Sequence, residues 1–256
     1  MNAAISAAKT GRPMSLASFP ESARKRAART WTFRAGAEAW ASARFLQLAR
    51  DLEAHKAPDV VIQMAHQAAA EEAEHIQLCL TLARVFDATP DEPAMPQIAS
   101  PPMSDTSHIT LLMQVVGACC INETISAAVL NHMLRASEPG IVHDTIQHIL
   151  RDEIGHSRIG WAYLAHMAEQ FDVRPLGAMM PQLLAAAITD ELFDMPEDAD
   201  EDDPVTRLGV VPHAARTALF TASVNDLILP GIATFQVDPE PAAQWLKQQS
   251  LQQASG

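Results

Sequence analysis

Two Glu-x-x-His motifs in apolar helical segments constrain the fold of this chain more than any other feature. Glu72 and His75 form the first motif, in EEAEH (71–75), and Glu153 and His156 form the second, in DEIGH (152–156). Side chains three residues apart share one face of a helix, and here that face is otherwise apolar. An isolated carboxylate is costly to bury, so a buried one is expected to pair, to take up a proton or to bind a metal ion.

Each motif follows a segment that carries one Glu in its apolar stripe. Glu38 precedes Glu72 by 34 residues, and Glu123 precedes Glu153 by 30 residues. The four stripes keep helical spacing: Trp31, Ala35, Glu38, Ala41, Phe45, Leu48 and Leu52; Ala65, Ala68, Glu72, His75, Cys79, Leu82 and Phe86; Ile109, Leu112, Val116, Cys119, Glu123, Ala127 and Leu130; Val142, Ile146, Ile149, Glu153, His156, Gly160 and Tyr163. This repeat predicts that four carboxylates and two imidazoles converge in one core.

The composition predicts an all-α protein. Of the 256 residues, 48% are hydrophobic and only 10 are Gly, and alternating runs of Val, Ile and Thr are missing. Four long helices are predicted at about 22–55, 58–86, 107–136 and 141–171, with two shorter ones near 175–194 and 212–235. The acidic segment 196–204 between the shorter helices is expected to be a solvated or disordered loop.

The connections between the long helices predict their arrangement. Residues 87–107 hold five prolines and cannot form a helix. Extended, this segment reaches roughly 65 Å, enough to span helices roughly 45 Å long. Short, long and short connections predict a four-helix bundle with one long crossover at about 22–171. We expect residues 1–20 to be a loose arm and 21–256 a single domain, with capping helices at about 175–235.

Charge, apolar runs and cysteine content indicate the partners and the cellular compartment of the protein. A net charge of −13 argues against nucleic acid as the main partner. The sequence shows no signal peptide and no run of 18 uncharged apolar residues, so neither export nor a membrane span is expected. Three cysteines, two of them adjacent, make no disulfide framework. The simplest interpretation is a cytoplasmic protein.

Two divalent cations would balance the charge of four buried carboxylates. The pattern resembles the ferritin-like superfamily of di-iron and di-manganese carboxylate proteins over about residues 22–171. The resemblance implies a ferritin-like bundle with two metal sites that share bridging carboxylates, Glu72 and Glu153. It assigns Glu38, Glu72 and His75 to one metal, and Glu123, Glu153 and His156 to the other. Ordinary buried polar residues with hydrogen-bond partners are the alternative.

The acid preceding each motif's Glu has an implied role as well. In the superfamily the acid before the second motif's Glu commonly orients the first motif's His, which assigns Asp152 to His75. By the same logic Glu71 would orient His156, and the alternative for both acids is surface charge. His148 points away from the stripe, and Ile149 occupies the place where some relatives carry a seventh ligand.

The ligand set and its surroundings indicate the chemistry. Carboxylate and imidazole ligands suit iron, with manganese possible, and the proposed set contains no thiolate that would favour zinc. The resemblance implies an oxygen-dependent di-iron oxidoreductase or oxygenase that acts on a small organic substrate, with dioxygen as co-substrate and an external electron donor. The competing interpretations are a ferroxidase or iron-storage protein resembling bacterioferritin and a di-manganese peroxide-scavenging enzyme. A homodimer or small homo-oligomer is expected.

Small residues surround the predicted centre: Ala41, Ser42, Ala68, Cys119, Ala127 and Gly160. They favour a substrate cavity, although they would equally allow close helix packing. Tyr163, the only tyrosine, follows His156 by seven residues and is a candidate proton or electron donor, with core packing as the alternative. Cys119 either lines the site or is a small buried apolar residue.

Overall fold

The computed structural model describes residues 16–98, 107–189 and 195–253, and within these ranges the protein is all-helical without a β-strand. The helices are α1 (Glu21–Ala54), α2 (Asp59–Val85), α3 (His108–Ala136), α4 (Ile141–Gln170), α5 (Leu176–Thr189), α6 (His213–Ser223, continued by Val224–Ile228 and Leu229–Ala233) and α7 (Glu240–Gln253). The prediction of an all-α protein is confirmed, and the four long helices lie close to their predicted positions.

The directions of the long helices follow from their contacts. α1 and α2 pack along each other and are joined by a short turn, as are α3 and α4. His75 lies beside Asp152, whereas Glu71 lies beside His156, so α2 and α4 are antiparallel. Since α4 also runs antiparallel to α3, helices α2 and α3 point in the same direction. The connection between them must therefore return the chain from the end of α2 to the beginning of α3.

α3 contains a π-helical segment at Val116–Glu123, which the helical periodicity of the sequence did not predict. Ser107 caps the N-terminus of the helix, and its side chain accepts a hydrogen bond from the Thr110 amide at 3.2 Å. By length and composition α3 is the one described helix able to cross a membrane, yet more than half of its most apolar window is buried within the protein. That burial is typical of the core helix of a soluble domain.

The layer of Glu and His side chains divides the hydrophobic core into two clusters. In α1, Glu38 lies between Ala35, which belongs to one cluster, and Phe45, which belongs to the other. In α4, Ile149 and Ile159 likewise belong to different clusters. The polar groups are thus enclosed by apolar side chains on both sides, and this enclosure is what makes their charge costly.

The C-terminal region extends further than predicted. α7 lies beyond the predicted limit of 235 and packs against α5. α5 ends at Thr189, and the rest of its predicted range lies outside the described residues. A 3₁₀ helix, Pro204–Leu208, and a π-helical turn within α6 were not predicted either. Short amphipathic segments next to Pro and Gly carry a weak sequence signal.

Two segments predicted to be loose are held by the fold. In the acidic segment, Glu197 pairs with Arg29 and Asp203 accepts a hydrogen bond from Arg26 at 2.6 Å, so the loop is attached to α1. Of the predicted arm 1–20, residues 1–15 lie outside the described range. Phe19 is buried in the core, with the Arg207 guanidinium 4.9 Å from its ring centroid. Long-range charge pairs of this kind leave no local sequence signal.

Candidate metal centre

The six predicted ligands come together in the middle of the helical core. Each of them is at most 7% exposed: Glu38, Glu72, His75, Glu123, Glu153 and His156. They form two overlapping groups in which all candidate ligand atoms lie within 4.8 Å of one another. One group contains Glu38 and His75, the other contains Glu123 and His156, and both contain Glu72 and Glu153. The arrangement fits a carboxylate-bridged site for two metal ions.

Each shared carboxylate turns one oxygen toward His75 and the other oxygen toward His156. Glu72 Oε2 lies 3.1 Å from His75 Nδ1, and Glu72 Oε1 lies 3.0 Å from His156 Nδ1. Glu153 Oε1 lies 4.0 Å from His75 Nδ1, and Glu153 Oε2 lies 3.5 Å from His156 Nδ1. Two oxygens of one carboxylate facing two imidazoles is the geometry that a bridging ligand needs.

Three buried polar atoms at the centre make no hydrogen bond: Glu72 Oε1, Glu153 Oε2 and His156 Nδ1. Leaving such atoms unsatisfied costs about 1–3 kcal/mol each, and more when they are charged. The 3.0 Å between Glu72 Oε1 and His156 Nδ1 equals the separation of two ligands at a right angle on one ion with bonds of about 2.1 Å. A bound cation would satisfy all three atoms, so the residues fit a metal.

The electrostatics of the cluster show how costly its charge is without a metal. Burial, followed by the charges of neighbouring carboxylates, raises the pKa of Glu38 and of Glu123 well above the usual range. Burial also disfavours charge on Glu72, but the close contact with His156 and the hydrogen bond with His75 outweigh it and lower the Glu72 pKa to about 2. Against burial, contacts with carboxylates raise the pKa of His75 to about 9 and of His156 to about 11. These shifts show that the cluster favours additional positive charge at its centre, which two cations would supply.

The outer nitrogen of each histidine is held by the acid expected to orient it. Asp152 Oδ2 lies 3.3 Å from His75 Nε2, and Glu71 Oε2 lies 2.9 Å from His156 Nε2. Each contact leaves Nδ1 facing the centre, as in sites where a carboxylate fixes the tautomer of a metal-bound histidine. His148 lies one layer further out, with Nε2 3.4 Å from Asp152 Oδ2, and is outside the ligand set.

Sequence reasoning missed two arginines of α1. Arg34 Nη2 lies 3.6 Å from Glu38 Oε1, and Arg44 borders the site near Glu123. Both positive charges act against the increase in pKa of the neighbouring ligand carboxylate. Cys79, on α2, places its thiol 3.9 Å from the same oxygen. The one available signal was the spacing of Arg34, four residues before Glu38 on the same helix.

A cavity reaches the centre from its carboxylate side. It has a volume of about 70 Å³ and is bordered by the four ligand carboxylates but by neither ligand histidine. Arg34, Arg44 and Asn122 also line it. A larger, mainly apolar cavity of about 390 Å³ adjoins it and shares Arg44, Asn122 and Ala187. The centre can thus be approached between α1 and α3, while the histidines lie on the far side.

Of the small residues around the centre, some line a cavity and others allow close helix packing, the two roles that the sequence predicted. Ala41 lines the inner cavity. Ser42 instead donates a hydrogen bond to the Ala69 carbonyl at 2.9 Å. A Cβ atom on Gly160 would lie 2.5 Å from Cys120 Sγ, so on that side the small residue permits close packing of α3 and α4.

The remaining small residues and Tyr163 do not border the described cavities. Ala68 and Cys119 are buried, Ala127 is half-buried, and burial raises the pKa of the Cys119 thiol well above its usual value. Tyr163 is buried in the apolar core, where desolvation raises its pKa to about 12. Core packing accounts for these positions.

No family model matches the chain, and no curated protein matches it in sequence.

Proposed function

We propose that the protein is an oxygen-dependent, non-haem di-iron oxidoreductase or oxygenase with a ferritin-like fold, acting on a small organic substrate. One observation carries the proposal. Two overlapping groups of buried carboxylates and imidazoles, which fit a bridged pair of metal ions, adjoin an apolar cavity large enough for an organic molecule. Dioxygen would be the co-substrate, and an external donor would supply electrons.

The helix directions support the ferritin-like part of the proposal. α2 and α3 are parallel, whereas α1 with α2, α3 with α4 and α2 with α4 are antiparallel. A bundle with one long crossover has these directions, and each of its two helix pairs supplies one helix with a single Glu and one helix with Glu-x-x-His. A bundle connected only by short turns would place α2 and α3 antiparallel.

The six ligands and the residues around them would have different roles at the centre. Glu72 and Glu153 would bridge the two ions, Glu38 and Glu123 would each complete one site, and His75 and His156 would bind through Nδ1. Bound iron would supply the capacity to bind and reduce dioxygen. Asp152 and Glu71 keep the imidazoles oriented. The apolar clusters above and below exclude water from this layer.

The donor set favours iron over zinc. Among the described residues, neither candidate ligand group contains a cysteine. Without a thiolate, carboxylate oxygen and imidazole nitrogen are the available donors, which suit iron or manganese. Manganese is the second choice because the same donors suit it.

The cavities favour an organic substrate over iron storage. The wall of the larger cavity is mainly apolar, and a path for hydrated cations would not need such a wall. We therefore prefer the oxygenase to the ferroxidase or storage alternative.

Anaerobic loading with ferrous iron followed by addition of oxygen tests the proposal. We expect about two irons per chain, consumption of oxygen in proportion to those irons, and an end to the reaction after about one turnover without substrate and reductant. Particle size should remain that of a homodimer or small homo-oligomer. Accumulation of hundreds of irons per chain in a large shell would instead establish storage, and rapid loss of hydrogen peroxide in the manganese-loaded protein would establish the scavenging alternative.

A further inference from the structure

The larger cavity has a defined direction with respect to the metal centre. It lies between α1 and α3 and is covered by α5, which packs on the π-helical segment of α3. Its inner end is marked by the residues it shares with the inner cavity, Arg44, Asn122 and Ala187. Along α1 its lining continues to Asp51, seven residues or about 10 Å from Arg44. The space is therefore elongated.

Polarity changes along this cavity. The middle is apolar, with walls formed by Leu48, Met113, Gly117, Ala118 and Leu183. The outer end is polar and neutral or acidic, and it includes Thr110, Asp51 and the exposed Gln114. The inner end carries the Arg44 guanidinium and the Asn122 amide. An occupant that matches this order has an apolar body and a group at its inner end that accepts hydrogen bonds from Arg44 and Asn122.

Charge selects among the groups able to accept those bonds. Arg44 is the one charged side chain of the described ranges that lines both cavities, so a cationic group at the inner end of the larger cavity would face a guanidinium of like charge. A carboxylate matches the planar fork of a guanidinium, and such charge-assisted hydrogen bonds are about twice as strong as neutral ones. A neutral alcohol would form only the weaker hydrogen bond that a neutral acceptor makes with these groups.

We infer that the substrate is an apolar carboxylic acid whose hydrocarbon body fills the cavity between α1, α3 and α5 and whose carboxylate is held by Arg44 and Asn122. The inference rests on the proposed oxygenase function and names its substrate class. At roughly 30 Å³ for each water-sized group, 390 Å³ holds roughly a dozen non-hydrogen atoms. An acid of about ten carbons is thus a probe of suitable size.

Calorimetric titration of the metal-loaded protein with decanoate, 1-decanol and decylammonium, all as monomers in solution, tests the inference. Decanoate should bind at least tenfold more tightly than either analogue. Arg44→Gln should weaken decanoate binding roughly 10- to 100-fold and decanol binding much less. Arg135→Gln, which alters an exposed arginine near the end of α3, is the matched control and should change neither affinity.

A second variant tests the position of the hydrocarbon body independently of charge. A Cβ atom on Gly117 would lie 3.6 Å from Leu183 Cδ2, an ordinary contact, so a larger side chain at 117 can extend into the cavity. Gly117→Leu should weaken decanoate binding at least tenfold while hexanoate binding is retained. Leu183→Phe narrows the same space from α5 and replaces this variant if Gly117→Leu does not fold.

The outcomes separate this inference from the proposed function. Equal binding of decanol or decylammonium, or an unchanged decanoate affinity in both Arg44→Gln and the cavity variant, overturns the carboxylic acid assignment, whereas two-iron loading with oxygen consumption still supports the oxygenase. Tight decanoate binding that depends on Arg44, in a protein whose iron consumes no oxygen, supports the ligand assignment and refutes the oxygenase.

Discussion

Asp152 Oδ2 lies 3.3 Å from His75 Nε2, although the two residues are 77 positions apart in the chain. The contact joins α2 to α4 and sets the orientation of an imidazole whose other nitrogen faces the carboxylate cluster. An acidic residue of α4 thus contacts a candidate metal ligand of α2. The mirrored contact between Glu71 and His156 does the same in the opposite direction.

Asp152→Asn should weaken metal binding or activity roughly 10- to 100-fold while the fold is retained, because an amide orients the His75 imidazole less strongly than a carboxylate does. Metal affinity measured by competition with a chelator checks this, with circular dichroism as the test of folding. Glu74→Gln, which alters an exposed acid on the same face of the protein, is the control. An unchanged affinity in Asp152→Asn would assign Asp152 to ordinary surface charge.

Glu153→Ala should abolish binding of at least one of the two metal ions, because Glu153 belongs to both candidate groups. His148→Ala should leave the metal content near two ions per chain, since His148 contacts Asp152 and lies outside those groups. Elemental analysis after anaerobic iron loading distinguishes the two variants. Zinc alone in the purified protein, or loss of metal in His148→Ala, would contradict the assignment of the ligands.

Gly160→Ala should destabilise the protein by about 1–3 kcal/mol, because the new methyl group would overpack the contact between α3 and α4. Its Cβ would lie 2.5 Å from Cys120 Sγ and 2.8 Å from the Cys120 backbone nitrogen. Gly155→Ala on the same helix is the matched control, since its Cβ would meet nothing within 4 Å. Helix propensity predicts that this control gains up to about 1 kcal/mol. Urea unfolding of both variants measures the difference, and equal stabilities would refute the close approach.

The attachment of the acidic segment to α1 should weaken in acid. Burial opposes charge on Asp203, but hydrogen bonds from the Val205 amide and the Arg26 guanidinium outweigh it and lower the pKa of the carboxyl group. A lowered pKa in the folded state stabilises the protein above the unfolded-state value of about 3.9, and this contribution is lost as the pH falls through the folded-state pKa.

Asp203→Asn should therefore reduce stability at pH 7 by up to about 1 kcal/mol, and the difference from the unaltered protein should shrink as the pH falls below about 3.9. Urea unfolding at pH 7, 5 and 3 provides the measurement. Asp202→Asn, at the exposed neighbouring position, is the matched control. A deficit in Asp203→Asn that stays constant across this range would exclude the charge as its cause.

The sequence alone predicted the long helices and the six residues that meet at the centre. This was possible because a helix repeats every 3.6 residues, so the spacing of Glu72 and His75 and of Glu153 and His156 already places each pair on one face. The same periodicity identified Glu38 and Glu123 as single polar groups in apolar stripes. The prolines of residues 87–107 ended one helix pair and separated it from the next.

The tertiary structure alone decided how these faces meet and what borders them. The π-helical segment ending at Glu123, the positions of Arg34 and Arg44, and the cavity beneath α5 depend on packing between helices far apart in sequence. The close contact at Gly160 and the attachment of Asp203 to Arg26 have the same origin. Local periodicity specifies which side of a helix is buried. The distances between helices, however, are set by the side chains of both partners. Those distances determine where a bundle is closed and where it can admit a substrate.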